Sequence, residues 1–452
     1  MIKMTSLRDF LIFLKKEEDL IEIEKELSPS FEIPAALQYI YSRRNEAVLF
    51  KKVKGYPAIS IVGNLLGHKR RLAQCFNCKP DQIVEEYLKR RKSPIKPRIV
   101  ESGPVKDAVI RDVDILKVLP VATHHEKDEG PYITCGITIA KHPETGIRGM
   151  GVHRIQVKGK NKIGIFLATP PLSEFLRVSE EKNTPLEIAT FIGADPITFF
   201  SSVTRAPEGI DKFDIAGGLL KNPVDLVKTE SGNLEVPAHA EIVLEGQILA
   251  GQREKEGPFG ESTGYYFTYE NPVAEINCIT HRKNPIYQTL LSFSSEEDVL
   301  LNISWESEFL RTVQQKFPQV KKIHLNPSCL GTSAVVQIAN DEDGLSNKII
   351  YEFFNINPFV KILVIVDEDV NPEDPEEVNW AIATRLRPDS DIIVTPDLPG
   401  MPIDPSIGEN GLVAKLGIDA TKPARDRKRF EKIELPVKIK ERVFNVMKQE
   451  GY

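Results

Sequence analysis

The sequence predicts a mixed α/β protein made of more than one domain. Its 452 residues exceed the size at which a single hydrophobic core usually suffices. Helix-like and strand-like segments are interspersed along the chain, and in the last third they alternate, which is typical of a sheet covered by helices. A hydrophobic content of 41% and a charged content of 27% fit an ordinary globular protein.

Residues 1–115 are predicted to form an α/β region. The segment TSLRDFLIFLKK has apolar residues at helical spacing, with Ser6 placed to cap the helix and Leu7, Phe10, Leu11 and Leu14 on one face. Further helices are expected at FEIPAALQYIYSRR, KRRLAQCF and PDQIVEEYLKRR, and strands at AVLFKKV and PAISIVGNL.

Residues 116–317 are predicted to form a β-rich second domain, and residues 318–452 an α/β third domain. In the second domain a helix is expected across SEFLRVSEEKNTPLEIATFIG, between strands such as ITCGITIAKHP, GMGVHRIQVKG, KIGIFLAT, PAHAEIVLEGQIL and AEINCITHR. In the third domain, strands such as VKILVIVDEDV and DIIVTPDL alternate with helices such as LSNKIIYEFFNI and PEEVNWAIATRL. The chain is expected to end on an amphipathic helix that could dock on a partner subunit.

Charge and hydropathy exclude two classes of partner. The formal net charge is −6, and basic and acidic residues are interspersed, so nucleic acid is not an expected partner. No run of about 18 apolar residues occurs, so no membrane span is expected. The N-terminus lacks the apolar core and cleavage site of a signal peptide, and we therefore expect the protein in the cytoplasm.

Two motifs could be interpreted as metal sites. Cys75 and Cys78, in CFNC, have a spacing that could form half of a zinc site or a redox pair, but no second ligand pair is apparent. We interpret them as ordinary thiols in a helical segment. The acidic run DEDVNPED does not fit an EF-hand, because Pro372 and Val378 stand where that loop needs Gly and Glu.

The stretch EGPFGESTGYY places two carboxylates, Glu256 and Glu261, around a glycine- and proline-rich bend. Positions five apart point to opposite faces of a regular strand, so only a bend can bring the two acids together. The alternative is a surface turn with solvated acids. A second segment, RGMGVHRIQVKG, predicts His153 and Arg154 on a strand approached by glycines, which suits an anion or a flat ring. The alternative interpretation is that His153 and Arg154 form an exposed basic pair.

These two stretches, together with LEVPAHAEIVLEG, PYITCGITIAKHPETGIRGMGVHRIQVKG and VDEDVNPEDPEEVNWAIATRLRPDSDIIV, resemble the UbiD family of reversible decarboxylases. The resemblance covers nearly the whole chain. It implies an N-terminal α/β region, a central split β-barrel of flavin-binding type and a C-terminal α/β domain used in dimerisation. It also implies prenylated FMN as cofactor and an aromatic or α,β-unsaturated carboxylic acid as substrate.

The resemblance assigns the catalytic residues to Arg154, Glu256 and Glu261. Arg154 would pair with Glu256 and orient the substrate carboxylate or the cofactor. Glu261, crowded by a like charge among apolar side chains, would deliver the proton that replaces carbon dioxide. The expected cofactor contacts are Val152, His153, Arg154, Lys158, Ile165, Phe166 and Leu167.

The chain departs from the family at the divalent metal, usually manganese, that holds the cofactor phosphate. The three ligand positions read Gly149, Pro170 or Leu172, and Asn222, which do not provide a ligand set for a hard dication. We therefore predict no metal site of the usual kind. The phosphate would need other compensation, for which the candidates are Arg148, Lys158 and Lys221.

Two functions from different classes remain open. The first is a UbiD-like decarboxylase that holds its flavin without the metal, and whose cofactor comes from a flavin prenyltransferase. The second is a cofactor-free subunit of a multi-chain carboxylase, of the kind that acts on phenylphosphate. A homodimer or higher homo-oligomer is expected in the first case and a hetero-oligomer in the second.

Overall fold

The computed structural model describes residues 4–207, 209–339, 342–433 and 435–450. It confirms the mixed α/β class. The described chain divides into two compact units. The first comprises the described residues of Met1–Glu308, Pro327–Gly331 and Pro402–Pro405, and the second those of Phe309–Asn326, Thr332–Met401 and Ser406–Tyr452.

Helices occur throughout the described residues. The α-helices are α1 (Leu7–Lys16), α2 (Glu32–Tyr41), α3 (Lys69–Phe76), α4 (Ile83–Arg90), α5 (Ile115–Val118), α6 (Leu172–Glu181), α7 (Pro196–Val203), α8 (Lys212–Leu220), α9 (Ser295–Gln314), α10 (Leu345–Ile356), α11 (Pro375–Arg385) and α12 (Val437–Gln449). Short 3₁₀ helices span Pro80–Gln82, Pro104–Lys106 and Ala424–Phe430.

Strands make up the sheets of both units. They are β1 (Leu20–Ile23), β2 (Ala47–Phe50), β3 (Ser60–Gly63), β4 (Arg98–Ile99), β5 (Ala108–Ile110), β6 (Tyr132–Ile133), β7 (Ile137–Lys141), β8 (Arg148–Val152), β9 (Ile155–Val157), β10 (Lys162–Ile165), β11 (Leu186–Ile192), β12 (Asp225–Lys228), β13 (Glu235–Pro237), β14 (Ile242–Gly260), β15 (Tyr266–His281), β16 (Ile286–Gln288), β17 (Val320–Leu325), β18 (Ser333–Ile338), β19 (Ile362–Asp367), β20 (Ile392–Pro399) and β21 (Leu412–Asp419).

The first unit is built on three sheets. A four-stranded sheet has the order β1-β2-β3-β16, and a three-stranded sheet has the order β13-β12-β4. The largest of the three is a nine-stranded sheet of order β6-β9-β10-β15-β14-β11-β7-β8, with β5 also paired to β15. Its longest strands, β14 and β15, form an antiparallel hairpin whose turn carries part of the site described below.

Helix α1 forms where the apolar spacing predicts it. The Ser6 side chain accepts a hydrogen bond from the amide of Asp9, which caps the helix, and the predicted stripe is buried. Helix α3 coincides with KRRLAQCF, and β2 and β3 coincide with the two strands expected in the same region. The spacing of apolar residues therefore predicted this part of the chain correctly.

One predicted helix is wrong in its second half. Helix α6 ends at Glu181, and Asn183 adopts a positive φ of 51° that breaks the helical path. The following segment, LEIATFI, is strand β11, which pairs with both β14 and β7. Its isoleucine, threonine and phenylalanine side chains suit a strand that has a neighbour on each side, and this pairing outweighs the helical pattern before it.

The second unit has a five-stranded sheet of order β17-β18-β19-β21-β20. The central strands β18, β19 and β21 run parallel, and β19 is almost wholly buried, as expected for a strand covered by helices. Helix α12 forms where the amphipathic tail predicts it, and none of its described residues is buried.

No helix within the described ranges is both long and apolar enough to cross a lipid bilayer. Cys75 lies in α3 and Cys78 just after it, and both are free thiols. Burial raises the pKa of both thiols, so they are poor nucleophiles.

Candidate active site

An irregularity in the β14–β15 hairpin brings the two predicted acids to the same face. Glu256 pairs with Tyr269 across the hairpin. The next pair, Phe259 with Phe267, shows that β14 uses one residue more than β15 over this stretch. An extra residue reverses the alternation of side chains along a strand. Glu261, which would otherwise point away from Glu256, therefore lies on the same side of the hairpin as Glu256.

Arg154 lies in a break between two strands, which corrects the prediction that His153 and Arg154 sit on a strand. Strand β8 ends at Val152 and β9 begins at Ile155. The chain changes partners here, because β8 pairs with β7 whereas β9 pairs with β10 and β6. Within the break, the His153 amide donates to the carbonyl of Gly136 and the Arg154 carbonyl accepts from the amide of Phe166, each at 3.2 Å, and the Arg154 side chain reaches the hairpin at Glu256.

Arg154 and Glu256 form a buried bidentate pair. The arginine Nε lies 3.1 Å from Glu256 Oε1, and its Nη2 lies 2.7 Å from Oε2. Asn271 donates a further hydrogen bond of 2.8 Å to Oε2. The Glu256 side chain is 1% exposed, and three N–H donors compensate its charge.

The other side of the same guanidinium forms an ion pair with Glu261, through Nη1 and Oε1. The guanidinium carbon also lies 4.2 Å from the centre of the Phe166 ring and 5.2 Å from the ring centres of Phe259 and Tyr269. These rings exclude water from the cation and attract it through their π faces. One arginine thus joins two carboxylates in an aromatic surrounding.

The turn that follows β14 carries Glu261 and is held by its next two residues. The Ser262 hydroxyl donates to Glu297 Oε1, in the first turn of α9. The Thr263 hydroxyl donates to the carbonyl of Ile403, at 2.8 Å. Burial raises the pKa of Glu297 to about 7, against the opposing effect of its hydrogen bonds from Ser262 and the Phe293 amide. The serine and threonine of ESTG therefore position the acid that precedes them.

A cavity of about 240 Å³ lies beside this cluster. Of the residues predicted from the sequence, it is lined by Val152, His153, Arg154, Phe166 and Glu261. Its remaining walls are mostly apolar, with a few polar side chains, and comprise Thr134, Ala168, Thr169, Phe199, Val203, Phe259, Ser262, Leu290, Ser292, Glu297, Leu300, Leu301 and Ile403.

Three predicted cofactor contacts do not line the cavity. Ile165 is wholly buried in the core, and Leu167 packs against the same core cluster. The side chain of Lys158 packs against Gly164, and its ammonium donates to the carbonyl of Lys255. These three residues support the strands around the site without reaching it.

His153 presents an unused nitrogen in the cavity wall. Its Nδ1 lies 3.0 Å from the carbonyl of Phe166, and a carbonyl can only accept, so Nδ1 carries the proton. Nε2 is then a lone-pair acceptor, and it has no hydrogen-bond partner among the described residues. Burial, with a smaller effect of the nearby Lys212 ammonium, lowers the pKa of the imidazole to about 4, so it is neutral at pH 7.

The positions where the family has metal ligands are not arranged as a metal site. A Cβ added to Gly149 would lie 2.7 Å from atoms of Phe175 and Pro171, so those residues occupy the space that a longer side chain would need. Leu172 is buried in the core. Asn222 follows the C-terminal end of α8, is exposed and does not line the cavity. Nor does any group of three acidic, histidine or cysteine side chains suited to a metal occur in the described parts of the chain.

The cations suggested as phosphate partners are engaged elsewhere. Arg148 forms ion pairs of 2.5 Å with Asp211 and 2.8 Å with Glu235. Lys221 is exposed at the C-terminal cap of α8, 3.5 Å from a carboxylate oxygen of Glu86. Together with Lys158, which lies outside the cavity wall, none of the three provides a free charge at the site.

Sequence reasoning missed two charged residues near the cavity. Glu297 belongs to the acidic run SSEED, which reads as an ordinary helix start rich in acids. Lys212 belongs to DKFD, where flanking acids suggest a solvated ion pair, but the structure buries it. Only the packing of α8 distinguishes this lysine from a surface one.

Three family models match successive parts of the chain. They describe the N-terminal domain of 3-octaprenyl-4-hydroxybenzoate carboxy-lyase over residues 11–91, its Rift-related domain over residues 98–294, and its C-terminal domain over residues 299–420. All three are UbiD domains.

Among known proteins, the chain is similar to the anhydromevalonate phosphate decarboxylases of Methanothermobacter thermautotrophicus and Methanosarcina mazei. It is 32% identical to the first over 429 residues, which cover 94% of this chain and 99% of the relative. It is 33% identical to the second over 435 residues, which cover 95% and 99%.

Solved structures agree over the same extent. The UbiD-class enzyme HmfF from Pelotomaculum thermopropionicum, in complex with FMN, superposes with a TM-score of 0.92 at 39% identity, covering 95% of this chain and 97% of HmfF. Apo AroY from Klebsiella pneumoniae, a 3,4-dihydroxybenzoic acid decarboxylase, gives a TM-score of 0.90 at 26% identity, covering 96% and 97%. The chain belongs to the UbiD family of decarboxylases, which confirms the resemblance of its motifs.

Proposed function

We propose that this protein is a UbiD-type enzyme that catalyses the non-oxidative, reversible decarboxylation of an aromatic or α,β-unsaturated carboxylic acid, with prenylated FMN as its cofactor. The observation that carries the proposal is the buried cluster of Arg154, Glu256 and Glu261 at the wall of an apolar cavity. Solved HmfF structures that contain FMN or prenylated FMN support the cofactor.

Arg154 binds and orients the substrate carboxylate. It is the one permanent cation among the described residues that line the cavity. Its bidentate pair with Glu256 fixes the plane of the guanidinium, and the surrounding rings keep water away from it. A substrate carboxylate that enters the cavity therefore meets a charge that is already positioned.

Glu261 holds and transfers the proton. The cluster has two carboxylates and one guanidinium. Glu256 takes most of the arginine's hydrogen bonds and does not line the cavity, whereas Glu261 lines it, so Glu261 is the carboxyl placed to exchange a proton with a substrate. When the bond between the substrate and its carboxylate breaks, carbon dioxide leaves and the electron pair remains with the substrate. Bound prenylated FMN supplies the electron-accepting group that side chains lack. A proton from the Glu261 carboxyl then replaces carbon dioxide, and in the reverse direction Glu261 removes it.

The cavity wall fits a flat, largely apolar cofactor and substrate. Val152 and Phe166, both predicted contacts, lie beside Arg154, and the unpartnered Nε2 of His153 offers an acceptor to a polar group. Leu290 and Leu300 add apolar surface for the body of the substrate. We propose that this lining selects an acid whose remaining atoms are mainly a planar hydrocarbon framework.

We further propose that the nine-stranded sheet corresponds to the split β-barrel of the family, and that the protein forms a homodimer or a higher homo-oligomer in the cytoplasm. A flavin prenyltransferase would supply the cofactor. Relatives point to more than one assembly, since HmfF has an evolved dimeric form and a vanillic acid decarboxylase from Sedimentibacter hydroxybenzoicus contains two kinds of chain. The retained Arg154, Glu256 and Glu261 favour the enzyme over the cofactor-free subunit.

Co-expression with a flavin prenyltransferase tests the proposal. The purified protein should contain prenylated FMN by mass spectrometry, absorb in the visible range and release carbon dioxide from at least one acid in a panel of aromatic and unsaturated acids. In deuterated water the product should carry deuterium at the carbon that lost the carboxylate. A colourless, flavin-free protein would instead support the cofactor-free subunit. Protein made without the prenyltransferase is the control.

A further inference from the structure

Residues 124–130, which precede β6, form a loop that contacts the end of β14 and is called the clamp loop below. Its Asp128 carboxylate accepts a hydrogen bond of 2.9 Å from the Gly260 amide through Oδ1. The amide of Glu129 donates to the carbonyl of Pro258, also at 2.9 Å. Both contacts fall at the end of β14, directly before the turn that carries the second acid of the site.

The clamp loop takes the place of a neighbouring strand along one edge of β14. Pro258 and Gly260 are two positions apart, so on a strand their C=O and N–H groups point to the same edge. The opposite edge is paired with β15 at Phe259 and Gly260, and the pairing of β14 with β11 ends at Ile248. The clamp loop therefore bonds two peptide groups of β14 that would otherwise need water or another partner.

The Asp128 side chain is wholly buried, and both of its oxygens are used. Oδ2 accepts hydrogen bonds from the amides of His125, at 2.8 Å, and His124, at 3.2 Å. Burial raises the pKa of Asp128, but the contact with the His125 imidazole and the hydrogen bonds from the Gly260 and His125 amides outweigh it, so the pKa lies below its usual value. The carboxylate is therefore ionised at pH 7, with one oxygen organising the clamp loop and the other holding β14.

The small size of Gly260 allows the clamp loop to pack this closely. A Cβ at residue 260 would lie 2.6 Å from Nδ1 of His125 and 3.0 Å from its Cγ, so a larger side chain would push the loop away from β14. Gly260 does not have a positive φ, unlike Gly257 and Gly264 of the same motif. The close approach of the clamp loop, and not the direction of the backbone, therefore explains the second glycine of EGPFGESTGYY.

We infer that Asp128 is a positioning residue that fixes the direction of the Glu261 side chain by holding the Gly260 amide. The inference rests on the proposed function, in which Glu261 transfers the proton. Gly260 directly precedes Glu261 in the chain, so a shift of β14 at this point moves the carboxyl relative to the cavity. Ser262 and Thr263 hold the residues that follow Glu261, and the clamp loop holds those that precede it. The acid is thus fixed from both sides.

A purely structural role for Asp128 makes a different prediction. The carboxylate would then serve only to hold the two histidine amides of the clamp loop. Its replacement would lower the melting temperature but leave the kcat of the folded enzyme and its solvent isotope effect unchanged. If Asp128 positions the proton donor, its replacement slows proton transfer, while the substrate carboxylate still meets Arg154 and binds as before.

Steady-state kinetics of the holoenzyme in H₂O and D₂O separate these roles. Asp128→Asn keeps the size of the side chain but can accept hydrogen bonds through only one oxygen. We expect kcat to fall by about 10- to 100-fold with KM within about twofold of the wild type. The solvent deuterium isotope effect on kcat should increase, because proton transfer from Glu261 limits more of the rate. Glu126→Gln changes an exposed acid of the same loop and, as the matched control, should behave like the wild type.

Gly260→Ala tests the same contact from β14, because the added methyl group should displace His125 and give the kinetic changes of Asp128→Asn. Crystal structures of the flavin-free proteins provide a readout without activity, and the Glu261 carboxyl should move by at least about 1 Å in Asp128→Asn. Wild-type kinetics in either variant, or an unmoved Glu261 in Asp128→Asn, would overturn the inference alone. A wild-type holoenzyme that releases no carbon dioxide from any acid of the panel would overturn the proposed function and the inference with it.

Discussion

At the scale of single residues, the two glutamates of the site have different surroundings although they share one arginine. Glu256 accepts two hydrogen bonds from Arg154 and one from Asn271 and does not line the cavity. Glu261 lines the cavity and shares the remaining side of the guanidinium. One carboxylate is therefore suited to hold the arginine and the other to exchange a proton with a substrate.

Replacing Glu261 by Gln should remove the proton donor while keeping the shape of the side chain. We expect decarboxylation to fall by at least about 100-fold, with flavin binding retained, because the amide can still contact Arg154 but cannot supply the proton. Carbon dioxide release and deuterium incorporation measure the loss. Glu270→Gln, an exposed position on the same hairpin, should keep wild-type activity. Normal turnover in Glu261→Gln would refute the assignment of the acid.

At the scale of elements, the site depends on the β14–β15 hairpin and on the N-terminal turn of α9. The extra residue in β14 sets the direction of Glu261, and Glu297 of α9 holds the turn through Ser262. Next to it, Glu296 is 1% exposed and accepts a hydrogen bond of 3.0 Å from the Leu66 amide. The first turn of α9 thus places a buried acid, Glu296, and a half-buried acid, Glu297, beside the core of the first unit.

The stability of the protein should depend on the protonation of Glu296. Burial raises the pKa of Glu296 from 4.5 to about 7, so the folded state binds a proton that the unfolded chain releases at lower pH. The contribution to the free energy of unfolding is complete below about pH 4.5 and is lost as the pH rises through about 7, by roughly 3 kcal/mol. Glu296→Gln should therefore lose less stability than the wild type between about pH 5 and 8.

Urea unfolding at a series of pH values measures this difference. Glu85→Gln, an exposed acid in the first turn of α4, is the control and should follow the wild-type profile. A pH dependence remains in Glu296→Gln, because burial also raises the pKa of Glu297 to about 7. Identical pH profiles for Glu296→Gln and the wild type would contradict the predicted role of the Glu296 proton.

At the scale of the whole molecule, the described C-terminal segment exposes apolar side chains. Helix α12 has no buried residue, and Phe444 is 69% exposed. The segment before it exposes Ile433 and Leu435. A monomer gains nothing from apolar surface of this kind, whereas a second copy of the chain could bury it, in agreement with the proposed homo-oligomer.

Phe444→Asp should weaken self-association. We expect the dissociation constant of the oligomer to rise by at least about tenfold, because a charge would replace an apolar side chain at the buried contact. Light scattering coupled to size-exclusion chromatography over a range of concentrations measures this change. Gln449→Asp adds the same charge at an exposed polar position of the helix and should leave the oligomer unchanged. Equal masses for the wild type, Phe444→Asp and Gln449→Asp would exclude the Phe444 face of α12 from the contact between subunits.

The sequence by itself determined the mixed α/β class, helix α1 with its cap, and the family. These features depend on local spacing and on motifs that are contiguous in the chain. One such motif is EGPFGESTGYY, which contains Glu256 and Glu261. The sequence pattern predicted a helix at LEIATFI, which is strand β11. This strand depends on pairing with β14 and β7, which lie elsewhere in the chain.

The tertiary structure alone decided which charges meet. Arg154 lies about a hundred positions from Glu256, and their contact depends on a change of partner strand at β8 and an extra residue in β14. Burial likewise cannot be read from DKFD, where Lys212 resembles a surface residue. The packing of α8 removes this lysine from water, and its ammonium donates to the carbonyl of Ser202.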